Sequence, residues 1–133
     1  MHKPCIMSGE KTTPGHGLRT LVVVDDCEQS LELYKIVAER CGFNLCSFND
    51  VLKALDFIRD YQVDVVITDY RMPLMNGLVF AREVRKYAER VRIIMITSDY
   101  DNSDLQKGAF NSGISCLLSK PLNVEALTGR LMD

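Results

Sequence analysis

"VVITDYRMPLMNG", residues Val65 to Gly77, is an apolar run that stops on a single acidic residue, Asp69. It then passes at once into a loop holding Pro73 and Gly77. A short continuous apolar run reads as a strand buried on both faces, the kind found in parallel sheets. Its acidic end either caps the next element or carries a reactive carboxylate. The neighbouring segments decide between the two.

Working outward, "LVVV" (Leu21 to Val24) is a second run of the same kind. A helix is predicted over Glu28 to Cys41, with Leu33, Ile36, Val37 and Cys41 on its inner face and Gly42 closing it. "NLCSF" (Asn44 to Phe48) reads as a less buried strand. Asp50 is placed to cap a helix whose Val51, Ala54, Leu55 and Ile58 share one face. The strand of the opening segment starts at Val63. A helix over Leu78 to Glu89 comes after it, with Phe80, Val84, Tyr87 and Ala88 inward. A strand over Val91 to Ile96, a short helix over Asn102 to Asn111, a strand over Ile114 to Leu118 and a last helix capped by Asn123 complete the order. Strictly alternating strands and helices point to an α/β domain with a parallel sheet and helices on both faces.

The 133 residues suit one domain with a real core, and the composition, 47% hydrophobic and 26% charged, is that of a globular protein. A formal net charge of -2 argues against a dedicated nucleic-acid binder. No apolar run approaches the roughly 20 residues that span a bilayer, and no signal-like segment opens the chain. No membrane association and a cytoplasmic location are therefore expected. Residues 1–18 read as a flexible leader and residues 19–133 as the domain. The cysteines (Cys5, Cys27, Cys41, Cys46 and Cys116) are odd in number and form no C-x-x-C pair, which suggests reduced, packing thiols. Cys27 alone adjoins residues where chemistry is expected. His2 and His16 lie in the leader, away from any such place.

The polar residues that end the buried strands carry the argument. The first strand runs into Asp25 and Asp26, the third into Asp69, the fourth into Thr97 and Ser98, and the fifth into Ser119 and Lys120. In a parallel sheet these ends share one edge, the edge outside which open α/β sheets bind ligands. Three carboxylates gathered there are costly unless a cation neutralises them. An all-oxygen cluster suits a hard ion, Mg²⁺ in particular. Lys120 pairs with a carboxylate or with phosphoryl oxygens, and Thr97 donates to the same oxygens. Carboxylate nucleophile, divalent cation, lysine and hydroxyl are the parts of phosphoryl transfer onto aspartate. Asp69 is the best nucleophile, standing alone opposite the paired acids.

Each residue also has a plain structural reading. Helix capping accounts for one of Asp25 and Asp26 but not for both. Asp69 can open a turn, Thr97 can simply end a strand, and Lys120 can be a solvated lysine. The four together at successive strand ends are far more specific than any one.

With "VVVDD", "ITDYRMPLMNG", "IIMITS" and "LLSKP" in this order and spacing, the chain from Arg19 to Asp133 resembles the receiver domain of bacterial response regulators in two-component signalling. The resemblance implies a flavodoxin-like doubly wound sheet of five parallel strands, order 2-1-3-4-5, with five flanking helices. It implies that Asp69 accepts a phosphoryl group from a histidine kinase or phosphotransfer protein. It makes Asp26 a direct Mg²⁺ ligand and Asp25 one acting mostly through water, with Asp69 and the backbone carbonyl of Arg71 completing the protein ligands. Thr97 would hydrogen-bond the phosphoryl group, Lys120 would form its ion pair, and Pro121 would follow a cis peptide bond. The further partners it implies are a downstream output protein or domain and a second copy in a phosphorylation-dependent dimer. Its only catalysis would be its own phosphorylation and dephosphorylation.

The chain departs from the family pattern at Leu117, where receivers usually carry the Tyr or Phe that turns inward on activation. Cys27 stands where an acidic or small polar residue is common. Arg71 and Asp99 occupy positions that tune the phosphoryl lifetime in the family, and their opposite charges suggest a pair across the site mouth. Two other readings compete. A Mg²⁺-dependent aspartyl-phosphate phosphohydrolase needs an acid two residues after the nucleophile, where this chain has Arg71, and a cap insertion it lacks. A degenerate receiver that only binds partners conflicts with the intact acids, Thr97 and Lys120. The chain ends within its last predicted helix, so no output domain is expected in it.

Overall fold

The computed structural model describes residues 18–132. The predicted leader, with Cys5, His2 and His16, lies outside the described residues apart from Leu18. Five strands alternate with five helices: β1 (Arg19–Val24), α1 (Glu28–Cys41), β2 (Phe43–Phe48), α2 (Val51–Asp60), β3 (Val65–Asp69), α3 (Gly77–Tyr87), β4 (Arg92–Thr97), α4 (Ser103–Asn111), β5 (Cys116–Ser119) and α5 (Val124–Met132). All pairings are parallel and the strand order is β2-β1-β3-β4-β5, as expected. The order reverses between β1 and β3, which opens the sheet's carboxyl edge beside those two strands.

Period-2 alternation divides the strand side chains between two cores. Val22, Val24, Val66, Ile93 and Met95 pack under α2, α3 and α4, with Phe80 and Val84 at the centre. Leu21, Val23, Val65, Ile67, Ile94 and Ile96 face α1 and α5, meeting Val37, Leu127 and Leu131. Because both faces are covered, the central strands carry apolar residues at nearly every position.

Helix boundaries reflect local chemistry. Asp50 caps α2 by accepting from the backbone N–H of Leu52 and Lys53. Asn76 does the same for α3 through Leu78 and Val79, and Asn102 caps α4 through Leu105. Gly42 ends α1 in the left-handed region, φ 75°, where glycine carries no Cβ penalty.

Several packing expectations are corrected. The inner face of α1 is rotated: Tyr34, Val37 and Ala38 are buried, whereas Ile36 is exposed. Tyr87, expected inward, is half exposed at the end of α3. β2 is less buried than β3, as expected, with Asn44 and Ser47 partly exposed, although α1 and α2 cover it from both sides and enclose Leu45 and Cys46. β5, read in the sequence as a buried strand, is partly exposed along its whole length. Cys46 is disulfide-bonded, contrary to the reading of the cysteines as reduced, while Cys27, Cys41 and Cys116 are free thiols.

Candidate phosphoacceptor site

β1 and β3 run side by side, Val24 opposite Thr68, so the residues just beyond them meet at the carboxyl edge. One carboxylate oxygen from each of Asp25, Asp26 and Asp69 lies within 4.8 Å of the others. Asp69 closes β3 and is buried, with 8% of its surface exposed, enough to leave the carboxylate reachable only from the edge. Asp26 is exposed and Asp25 half-buried.

Fixed donors hold these acids. Asp69 Oδ1 accepts from the Tyr70 N–H at 2.8 Å, and its Oδ2 accepts from Lys120 Nζ at 2.8 Å. Lys120 is brought there by β5, whose ladder with β4 continues as Lys120 N–H donates to the Thr97 carbonyl. The Lys120–Pro121 peptide is cis, as expected. Asp25 Oδ1 accepts from the Cys27 N–H at 2.9 Å, and Tyr34 Oη lies 3.5 Å from its Oδ2.

The charges respond to this crowding. Burial pushes the Asp25 carboxyl above its usual value, opposed by the Cys27 N–H and reinforced by the nearby Asp69 charge. Burial alone would lower the Lys120 ammonium, but its bond to Asp69 prevails and raises it. Hydrogen bonding from Ser30 lowers the exposed Cys27 thiol.

Thr97 is buried at the end of β4, one residue past Ile96, which pairs with Asp69. Its Oγ1 accepts from the Asp99 N–H at 3.0 Å. Asp99 in turn meets Arg71 across the loops, Oδ2 to Nη2 at 2.8 Å and to Nε at 3.0 Å. The expected pair therefore forms. Such an exposed contact is worth under about 1 kcal/mol.

Gly77 answers why the loop after Asp69 ends on glycine. Its N–H donates to the Tyr70 carbonyl at 2.7 Å, and a Cβ there would lie 2.6 Å from the Asp69 carbonyl oxygen and 2.8 Å from Met95 Sδ. Only glycine lets α3 start this close to the acceptor strand. Within the loop Leu74 is exposed and takes φ 76°, a conformation that costs a branched side chain about 1–3 kcal/mol.

Residues 21–132 match the response regulator receiver domain family. The chain belongs to that family. It is 32% identical over 114 residues to the cyclic di-GMP phosphodiesterase response regulator RpfG of Xanthomonas campestris, a match covering 83% of this chain and 30% of that protein. It is also 32% identical over 111 residues to the DNA-binding response regulator MtrA of Mycobacterium tuberculosis, covering 84% and 48% respectively. The chain thus spans a third to a half of the length of these curated relatives. Among solved structures, the chemotaxis response regulator CheY4 of Vibrio cholerae superposes with a TM-score of 0.78 at 25% identity, covering 86% of this chain and 96% of that one. A CheY-like receiver from Methanospirillum hungatei gives 0.79 at 22% identity, with 86% and 90% covered. The protein is a receiver of two-component signalling, and neither the phosphohydrolase nor the binding-only reading is favoured. Among the described residues no helix is long and apolar enough to cross a membrane.

Every strand-end residue singled out in the sequence sits at this edge. Tyr34 and the Tyr70 N–H are the contributors that sequence reasoning missed. A phenol on the buried face of α1 needs a polar partner, which was the available signal for Tyr34. The Tyr70 contact is made by backbone and leaves no trace in residue type.

Proposed function

We propose that Asp69 accepts a phosphoryl group from a phosphohistidine of a histidine kinase or phosphotransfer protein, and that residues 19–133 act as a cytoplasmic switch for a downstream output protein or domain. The observation that carries this reading is the Lys120–Asp69 pair at 2.8 Å inside a cluster of three carboxylates. A structural ion pair would leave Asp25 and Asp26 without a reason to stand beside it.

The donor set fits Mg²⁺: hard oxygens, a surplus of negative charge and an edge open to water. Asp26, Asp25, Asp69 and the Arg71 carbonyl are the residues that would hold it. When bound, the ion supplies charge neutralisation between Asp69 and the incoming phosphoryl oxygens. The chain's own groups do the rest. An Asp69 carboxylate oxygen attacks phosphorus, the P–N bond breaks, and the imidazole leaves with the electron pair and takes up a proton. Lys120 exchanges its carboxylate partner for a phosphoryl oxygen. Thr97, whose oxygen already accepts from Asp99, retains its hydroxyl proton to donate to the same group. Its catalysis is confined to its own phosphorylation and dephosphorylation, and phosphorylation-dependent dimerisation is a further expected consequence.

Intact-protein and peptide mass spectrometry after treatment with acetyl phosphate and Mg²⁺ tests this. The expected result is one hydroxylamine-sensitive phosphoryl group on the peptide containing Asp69. A label elsewhere, or none, overturns it.

A further inference from the structure

Resting on the metal-assisted reading above, we propose that Tyr34 is a positioning residue for the cation site, acting through Asp25. Tyr34 lies on α1, away from the loops that form the site, and is 2% exposed. A buried phenol normally has a hydrogen-bond partner, and among the described residues Asp25 is the partner of Tyr34. The hydroxyl sits 3.5 Å from Oδ2, and the Cys27 N–H holds Oδ1 at 2.9 Å. Asp25 is thereby held at both oxygens, and one of them lies within 4.8 Å of a carboxylate oxygen of Asp26 and of Asp69. A free aspartate would rotate about its terminal torsion, which is broad for carboxylates. The phenol hydroxyl donates to the carboxylate oxygen.

The geometry assigns the hydroxyl one effect: it orients Asp25 toward the acidic cluster. An apolar residue at position 34 would fill the same core volume without providing it. Such outer contacts to metal ligands commonly change affinity by 10- to 100-fold. At 3.5 Å the contact is long, and an effect of about tenfold is expected.

The test is calorimetric titration of the whole chain with MgCl₂, comparing wild type, Tyr34→Phe, Asp25→Asn and the double variant. Tyr34→Phe should bind Mg²⁺ about tenfold more weakly, with its metal-free melting temperature close to wild type. Its phosphorylation by acetyl phosphate should recover to the wild-type rate at saturating Mg²⁺. In the Asp25→Asn background the same change should have no further effect on Mg²⁺ affinity. Equal affinity in wild type and Tyr34→Phe overturns the role, as does an undiminished effect in the Asp25→Asn background. A lowered melting temperature with unchanged affinity leaves Tyr34 as a packing residue only. If wild type itself takes up no Mg²⁺, the metal site fails and this role fails with it.

Discussion

At the carboxyl edge of the sheet three carboxylates crowd within 4.8 Å of one another and one of them pairs with Lys120, whereas at the amino edge Arg85 and Asp64 bond to backbone. There the Arg85 guanidinium reaches the carbonyls of Ala88, Glu89, Val91 and Gly113, joining the loops that lead into β4 and β5. Asp64 accepts from the Thr20 N–H at 2.8 Å, tying the start of β1 to the start of β3. Both edges place charge in half-buried surroundings. At the amino edge each charge satisfies groups that would otherwise be unpaired, so it stabilises the fold. At the carboxyl edge one lysine faces three carboxylates, so the Lys120–Asp69 pair offsets only part of their repulsion, and a cation would offset the rest. That contrast separates a structural charge from a functional one without reference to any relative.

The sharpest way to break the comparison is Asp69→Asn. Amide replaces carboxylate at nearly equal volume, so the fold should persist while phosphorylation by acetyl phosphate disappears. Removing one like charge should leave the metal-free protein as stable as wild type or more so. Circular dichroism and intact mass check both halves, and a hydroxylamine-sensitive label persisting in the variant would sink the assignment.

Arg85→Ala should do the reverse. Its loss leaves several carbonyls at the amino edge without their charged donor, and a hydrogen bond to a charged group contributes about 1.5–3 kcal/mol net of competing water. A destabilisation of about 2–4 kcal/mol is expected in urea unfolding. Mg²⁺-dependent stabilisation should be unchanged. A variant that unfolds normally but loses its metal response would show that the two edges are not independent.

Asp26→Asn targets the carboxyl edge again. A ligand at a hundredfold excess over its Kd stabilises the native state by about 2.7 kcal/mol. Most of the Mg²⁺-dependent rise in melting temperature should vanish in the variant. An equal rise in both proteins would place the cation elsewhere.

These contacts explain why one edge was legible in sequence and the other was not. Asp25, Asp26, Asp69, Thr97 and Lys120 each interrupt an apolar run, so parallel strands alone bring them together. Arg85 interrupts nothing: it stands on the polar side of a helix, and its acceptors are carbonyls, which every residue carries. The rotated face of α1 has a similar cause. Ile36 and Tyr34 both fit an apolar stripe, and only the packing of α1 against β1 and α5 shows that the phenol goes in and the isoleucine stays out. Burial of β5 was misjudged because its apolar residues read as an enclosed strand, although it lies at the open edge of the sheet and is partly exposed throughout.

Smaller effects test the mouth of the site. Arg71→Ala removes an exposed pair with Asp99 worth under about 1 kcal/mol. If that pair impedes water, loss of the phosphoryl group should quicken by no more than about fivefold. A half-life identical to wild type in a phosphate-release assay would make the pair incidental.

The smallest expected response is at β5. Leu117 pairs opposite Met95 and packs, half-buried, against the core beneath α4 that includes Leu105 and Ala109. A phosphoryl group on Asp69 adds charge and acceptor oxygens near Lys120 and Thr97. If Thr97 moves inward to meet it, space opens behind the end of β4. An aromatic at position 117 would fill that space by turning and would carry the change to the outer surface. Leucine is smaller and has no hydroxyl, so it can repack but cannot exchange one polar partner for another. Amide shifts on adding beryllofluoride, a phosphoryl mimic, should therefore be largest at Tyr70 to Asn76 and at Thr97 to Asp99, with only a weak response at Leu117 and its β5 neighbours. Shifts at Leu117 as large as those at Thr97 and Ser98 would show that the switch reaches the outer face of β5 without an aromatic side chain.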